Sequence, residues 1–222
     1  MATPSSTPST SSVTAPNISS TTTDRTPLET SRLLENYETF GWEADPAVSD
    51  DANYMDLTLL VTRSSQLRQG SMACLLVQNN QQQQQLTDRI VSVATNCGIY
   101  NDKQNSDVHA EVAAVCAAAR AGRRVGQCTA YITMPPCKTC CPILYCAGIT
   151  RVVTRKRTET TDRLLPQLGI DMTVLPDDRS RVDALVAKYK QKQQKTAETE
   201  VNDPQDNPGD AIASEKKRQR KV

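Results

Sequence analysis

The chain is poor in aromatic residues, which make up 4% of its 222 positions with one Trp and one Phe. That leaves few flat surfaces for stacking a run of nucleic-acid bases. Charge is almost balanced, 26 Lys and Arg against 25 Asp and Glu, so the whole molecule does not present a polyanion-binding surface. No apolar run approaches the roughly 18–20 residues that would cross a bilayer, which argues against a membrane partner. The first residues lack a basic patch followed by an apolar stretch, so no secretory leader is expected and the compartment is expected to be cytoplasmic or nuclear. Histidine occurs once, at His109.

The hydrophobic fraction, 37%, is low because the two ends contribute little to a core. Residues 1–30 hold sixteen Ser or Thr and four Pro, and from Gln191 onward large apolar residues almost vanish. Both ends are expected to be disordered tails, 1–30 and 193–222, flanking a helical segment and linker at 31–51 and one domain at 52–192. The remainder, roughly 140–160 residues, is enough for one core and not for two.

Hydrophobic spacing predicts the following elements. A short helical pattern carries Leu33, Leu34 and Tyr37, and a helix spans about 52–66 with Met55, Leu59 and Leu60. Strands follow at 71–78 and 89–95, separated by a Gln-rich loop at 79–85. A polar loop leads to an Ala-rich helix at 109–121. After it, strands at 128–134, 149–154 and 170–175 alternate with helices at 138–147, 162–168 and 179–192. Helix, hairpin and then alternating helix and strand predict an α/β layered domain with one mixed sheet.

Eight cysteines, at 74, 97, 116, 128, 137, 140, 141 and 146, are unevenly spaced and several lie in apolar segments. Reduced thiols fit this better than a disulfide framework. Cys74, Cys116 and Cys128 are expected to pack in the core as small hydrophobes.

His109-Ala110-Glu111 opens the Ala-rich helix, and Pro136-Cys137-Lys138-Thr139-Cys140 stands at a later strand-to-helix junction. One imidazole and two thiolates suit Zn2+ and leave a fourth position for water. Cys141, one helical turn from Cys137, is an alternative second thiolate and could also close a purely structural site. Glu111, two residues from His109, is placed to stay off the metal and carry a proton.

The pair of motifs, H-x-E and P-C-x-x-C in this order, is the signature of zinc-dependent deaminases. From about Asn53 to Leu175 the chain resembles the cytidine and deoxycytidylate deaminase family, which also includes adenosine deaminases acting on transfer RNA. The resemblance implies a three-layer α/β/α domain around a five-stranded mixed sheet. It further implies that His109, Cys137 and Cys140 hold catalytic zinc and that Glu111 shuttles protons. Asn96 would contact a bound nucleoside, with the backbone at Ala110 and Pro136 bordering the base. A nucleotide or nucleoside substrate and a homo- or hetero-oligomer are implied in the same way.

Arg63-Ser64-Ser65, Ala147-Gly148-Ile149 and Leu168-Gly169-Ile170 look like the deoxycytidylate branch, so conversion of a cytosine nucleotide or nucleoside to the uracil form is expected. The short loop before His109, and Ala113 where an asparagine is common, depart from that branch. The competing expectation is a transfer RNA adenosine deaminase subunit, favoured by possible phosphate contacts from Lys216, Lys217, Arg218, Arg220 and Lys221. A noncatalytic subunit of the same fold is the third, disfavoured by the presence of Glu111.

Overall fold

The structure is a computed structural model that describes residues 33–67, 70–79, 85–100 and 106–201. The Ser/Thr-rich start, most of the Gln-rich loop and the basic C-terminal run lie outside the described residues.

Five strands form one mixed sheet: β1 (Ala73–Gln78), β2 (Ile90–Thr95), β3 (Cys128–Ile132), β4 (Arg151–Thr154) and β5 (Asp171–Val174). Their order across the sheet is β2-β1-β3-β4-β5. β1 runs antiparallel to both β2 and β3, with Cys74 opposite Ile132 and Leu75 opposite Val93. β3, β4 and β5 are parallel, with Tyr131 opposite Val153. The continuous apolar runs of β1 to β4 follow from this arrangement, since helices cover both faces and alternate side chains are buried on either side.

Helices α1 (Asp50–Val61) and α5 (Arg179–Val201) belong to one side, and α2 (Ala110–Arg120), α3 (Cys140–Cys146) and α4 (Glu159–Gln167) to the other. On the first face Tyr54, Met55, Leu57 and Val61 of α1 pack on Leu75, Val77, Val93, Tyr131 and Val153. α5 joins α1 through Val186, which packs with Leu60 and Phe40. On the second face Ala110, Ala114 and Ala118 lie against Cys74, Leu76, Val91 and Cys128. The expected three-layer α/β/α domain is the observed one.

Element ends move for identifiable reasons. α1 starts at Asp50 because the Ser49 side chain accepts the Ala52 amide at 3.2 Å, and it ends in a 3-10 turn at Thr62–Ser64. α4 starts three residues earlier than its apolar pattern suggests, held by a capping box between Thr158 and Thr161. α5 runs on to Val201, past the expected end near 192, because its polar continuation keeps good helix formers. Gly148, between α3 and β4, has φ +80°, and a Cβ there would lie 3.1 Å from the Gly126 Cα. Only glycine fits that approach. Cys116 is exposed, which corrects the expected core position; Cys74 and Cys128 are buried as expected. The buried stripe of α2 follows 110, 114 and 118, and position 116 falls on the opposite side.

Ionic ties cross the first face. Asp51 accepts from Arg151 at 2.9 and 2.6 Å and from the Tyr131 hydroxyl at 2.7 Å. Burial alone would raise the Asp51 carboxyl, but the hydrogen bonds from Arg151 and Tyr131 outweigh it and hold the group below its ordinary value. Asp56, 2% exposed, is shared by Arg155 at 3.2 Å and Arg181 at 2.8 Å. The outer edge of β2 is covered where Tyr37 donates to the Val93 carbonyl and Arg123 to that of Val91. Among the described residues no helix is long and apolar enough to cross a membrane.

Candidate active site

The site forms where β3 ends, at the carboxyl end of the parallel half of the sheet, the side on which open α/β sheets place their ligands. Two strand-to-helix junctions meet there. At the first, His109 is the N-cap of α2, with extended backbone at φ −71° and ψ 153° and no side-chain capping bond. Its carbonyl already accepts the Ala113 amide at 2.9 Å, so the helix is started by the backbone and the imidazole is left for other work. Ser92 of β2 donates to the Ala114 carbonyl at 2.8 Å, and the small alanines let α2 lie close on the sheet.

At the second junction β3 ends at Ile132, short of the expected 134, Pro135-Pro136 follows without regular structure, Cys137 leads into the turn and Cys140 opens α3. The Cys141 amide donates to the Cys137 carbonyl at 3.1 Å, closing that turn. His109 Nδ1 stands 3.6 Å from Cys137 Sγ and 3.4 Å from Cys140 Sγ. The three donor atoms lie within 4.8 Å of one another, a group that could hold a metal ion. Zinc bound tetrahedrally with Zn–N near 2.0–2.1 Å and Zn–S near 2.3 Å would separate nitrogen and sulfur by about 3.6 Å. The observed spacings fit zinc.

Cys141 points elsewhere. Its thiol donates to the Pro136 carbonyl at 3.7 Å, and it is not part of the donor group. The motif favours Cys140 over Cys141 as the second thiolate, and it is Cys140 that groups with His109 and Cys137 here.

Glu111, in the first turn of α2, is 4% exposed. Burial pushes its carboxyl above the ordinary range, while its own backbone amide, the His109 charge and the Cys140 thiol pull the other way. The Cys140 thiol is raised too, first by burial and then by the Glu111 charge. A cation among these groups would oppose both shifts, since it favours the charged form of each. Cys74 of β1, fully buried, lies close enough to feel Glu111 and Cys140.

Asn96 is 3% exposed at the end of β2. Its Oδ1 accepts from the Met72 amide at 2.8 Å and from the Ser65 hydroxyl at 3.3 Å, and its Nδ2 donates to the Gly70 carbonyl at 2.9 Å. Backbone partners on both sides fix which end is oxygen. Both acceptor positions are spent and one N–H is left, so Asn96 can donate one hydrogen bond to a ligand and accept none. Ala110 and Pro136 are both buried, and the Pro136 carbonyl is taken by Cys141. The basic residues Lys216, Lys217, Arg218, Arg220 and Lys221 lie outside the described residues.

Sequence reasoning named Ser65 only as part of a branch-like motif and Cys141 only as an alternative metal ligand, and missed that Ser65 and the Gly70 carbonyl hold Asn96. Gly70, with φ +67°, carries a local signal as a glycine breaking an otherwise polar connection.

Residues 48–156 match the family described as the cytidine and deoxycytidylate deaminase zinc-binding region. No relative was found among curated protein sequences. Among solved structures, the chain is similar to the dCMP deaminase of the cyanophage S-TIM5 in complex with dCMP and dUMP. Identity is 20%, over 60% of this chain and 100% of that one, with a TM-score of 0.48. A diaminohydroxyphosphoribosylaminopyrimidine deaminase/5-amino-6-(5-phosphoribosylamino)uracil reductase from Thermotoga maritima is 15% identical, over 64% of this chain and 42% of that one, TM-score 0.47. A tRNA:A34 deaminase acting at the wobble position is 24% identical, over 48% of this chain and 76% of that one, TM-score 0.37. The matched motifs, the donor geometry and the zinc-binding family region agree: this domain belongs to the cytidine and deoxycytidylate deaminase family and is a zinc-dependent hydrolase.

Proposed function

We propose that the chain hydrolyses the exocyclic amine of a cytosine nucleotide or nucleoside, of the deoxycytidylate type, releasing ammonia and leaving the uracil form. The observation that carries this reading is the convergence of His109 Nδ1 on two cysteine sulfurs with a buried Glu111 beside them and outside the donor set. His109, Cys137 and Cys140 would hold zinc, which when bound supplies the Lewis acidity that makes water a competent nucleophile near neutral pH.

The remaining steps belong to this chain's own groups. Glu111 takes a proton from the attacking water as its oxygen bonds to the ring carbon that bears the amine. At 4% exposure Glu111 is shielded from bulk solvent, so the proton it takes is kept for the substrate. Glu111 then delivers it to the adjacent ring nitrogen, and carries a second proton to the amine as the carbon–nitrogen bond breaks and ammonia leaves. Asn96 orients the substrate by donating its one remaining N–H, so the group it meets must be an acceptor such as a hydroxyl or carbonyl oxygen.

The test is ammonia release from dCMP, CMP, deoxycytidine, cytidine and transfer RNA. Turnover of a cytosine mononucleotide or nucleoside supports the reading. Turnover of transfer RNA alone replaces it with adenosine deamination of RNA, and turnover of none refutes it.

A further inference from the structure

Between α1 and α5, the helices that cover the first face, lies an open cleft of about 320 Å³. Leu59 and Leu60 of α1 line it on one side, and Val182, Leu185 and Val186, one stripe of α5, on the other. Closely packed helices interdigitate such rows. Here they join where Leu60 and Val186 meet Phe40, and the rest of the apolar surface lines the cleft.

Thr62, Arg63 and Ser71 supply its polar groups. The Thr62 hydroxyl donates to the Leu59 carbonyl and the Ser71 hydroxyl to that of Leu67 at 3.3 Å, so each has spent its proton. The free donors belong to Arg63, an exposed guanidinium with no ion-pair partner among the described residues. No acidic side chain and no aromatic ring lines the space. One cation beside five aliphatic side chains suits an anionic head on an alkyl tail, and offers a nucleobase nothing to stack on. At about 30 Å³ per heavy atom, the share one water takes, the space holds roughly ten such atoms, the size of an eight-carbon carboxylate.

The cleft also touches what holds Asn96. Arg63 is two residues before Ser65, and Ser71 stands between Gly70 and Met72. Ser65, Gly70 and Met72 are the three partners of the Asn96 side chain, and the Ser65 amide itself donates to the Thr62 carbonyl at 3.1 Å. We propose that this cleft binds a medium-chain carboxylate, its tail between α1 and α5 and its head on Arg63. Filling the gap fixes the 62–72 connection and with it Asn96, so occupancy acts on substrate binding. The effect on turnover rests on the deaminase reading above; the binding does not.

Trp42, the one tryptophan of the chain, packs on the Phe40, Leu60 and Val186 cluster and reports the cleft directly. Octanoate titrated into the full chain should change its emission saturably. Octanoate should bind about 10-fold tighter than hexanoate, for two more buried methylenes, and about 10-fold tighter than 1-octanol, for the charge. Arg63→Gln should erase the preference for acid over alcohol, and Val182→Phe, which fills the cleft, should abolish binding with the thermal midpoint kept. Saturating octanoate should lower the KM for dCMP about 5-fold at constant kcat. No saturable change below the concentration at which octanoate self-associates overturns the site, as does an acid preference retained in Arg63→Gln. A ligand-free dimer that Val182→Phe dissociates makes a second copy of this chain the occupant and also overturns it. So does a rise in KM for dCMP but not deoxycytidine in ligand-free Arg63→Gln, which would give Arg63 to the substrate's phosphate. Binding with KM unchanged overturns the link to Asn96. If no cytosine compound is turned over, the reading of function fails, and the fluorescence titration still decides the site.

Discussion

The two faces of the sheet are built from different materials. The face under α1 carries large side chains, Tyr54, Met55, Leu57 and Tyr131, and is tied across by Asp51 with Arg151 and by Asp56 with Arg155 and Arg181. On the other face α2 presents small alanines, Ala110, Ala114 and Ala118, to Cys74, Leu76, Val91 and Cys128, and no salt bridge among the described residues joins α2 to the sheet. Small side chains bring the start of α2 close to the end of β3, which is what lets His109 meet Cys137 and Cys140. One face is arranged to hold the fold together, and the other to bring two helix starts within bonding distance of one ion. Stability and chemistry should therefore separate under mutation.

The sharpest separation is expected at Glu111. Glu111→Gln keeps size and hydrogen-bonding capacity but removes the proton carrier, so ammonia release should fall by about 10²–10⁴-fold. Zinc content and the thermal midpoint should stay at wild-type values. Retained turnover would remove Glu111 from the mechanism and break the contrast on the chemical side.

Asp56→Ala should do the reverse. It strands Arg155, whose side chain is 8% exposed and whose Nε and Nη1 already lack partners, so loss of about 3–5 kcal/mol of stability is expected. Zinc stoichiometry should be unchanged below the melting transition. Replacing the pair together, Asp56→Leu with Arg155→Met, should recover much of the loss, which denaturant titration of both variants measures. Equal stability of Asp56→Ala and wild type would show that this tie contributes little.

A smaller effect concerns acid. The Asp51 carboxyl is lower in the folded chain than in the unfolded one, so its contribution is complete above the unfolded value of about 3.9 and is lost as pH falls through the lower folded value. Melting followed from pH 7 to pH 3 should show wild type losing this increment only at the acid end. Asp51→Asn should start less stable near neutrality and lose less on acidification. Parallel profiles for the two proteins would contradict the assignment. Because both partners are partly exposed, added salt should shrink the difference.

Much of this was legible in the sequence, unevenly. β1 and β2 announced themselves as short apolar runs, and α2 by alanines ending at Gly122. The metal donors were legible because thiolate and imidazole chemistry restricts which residues can serve and the local spacing restricts where they sit. The limits of local pattern appear at α4, whose start is set by a Thr158–Thr161 exchange of hydrogen bonds rather than by apolar period. They appear again at Cys116, where alanines on every side gave no hint of which face would be buried. What binds Asn96 was not legible, because Ser65, Gly70 and Met72 reach it only through the pairing of β1 with β2. The ties from Asp51 to Arg151 and from Asp56 to Arg181 span 100 and 125 positions, and no local pattern encodes them.

The central claim is that His109, Cys137 and Cys140, and not Cys141, hold the metal. Its most direct test is metal analysis of the purified wild type, Cys140→Ser and Cys141→Ser chains. One zinc per chain is expected in wild type and in Cys141→Ser, with little or none in Cys140→Ser. Full zinc in Cys140→Ser, or equal loss in both variants, would contradict the account.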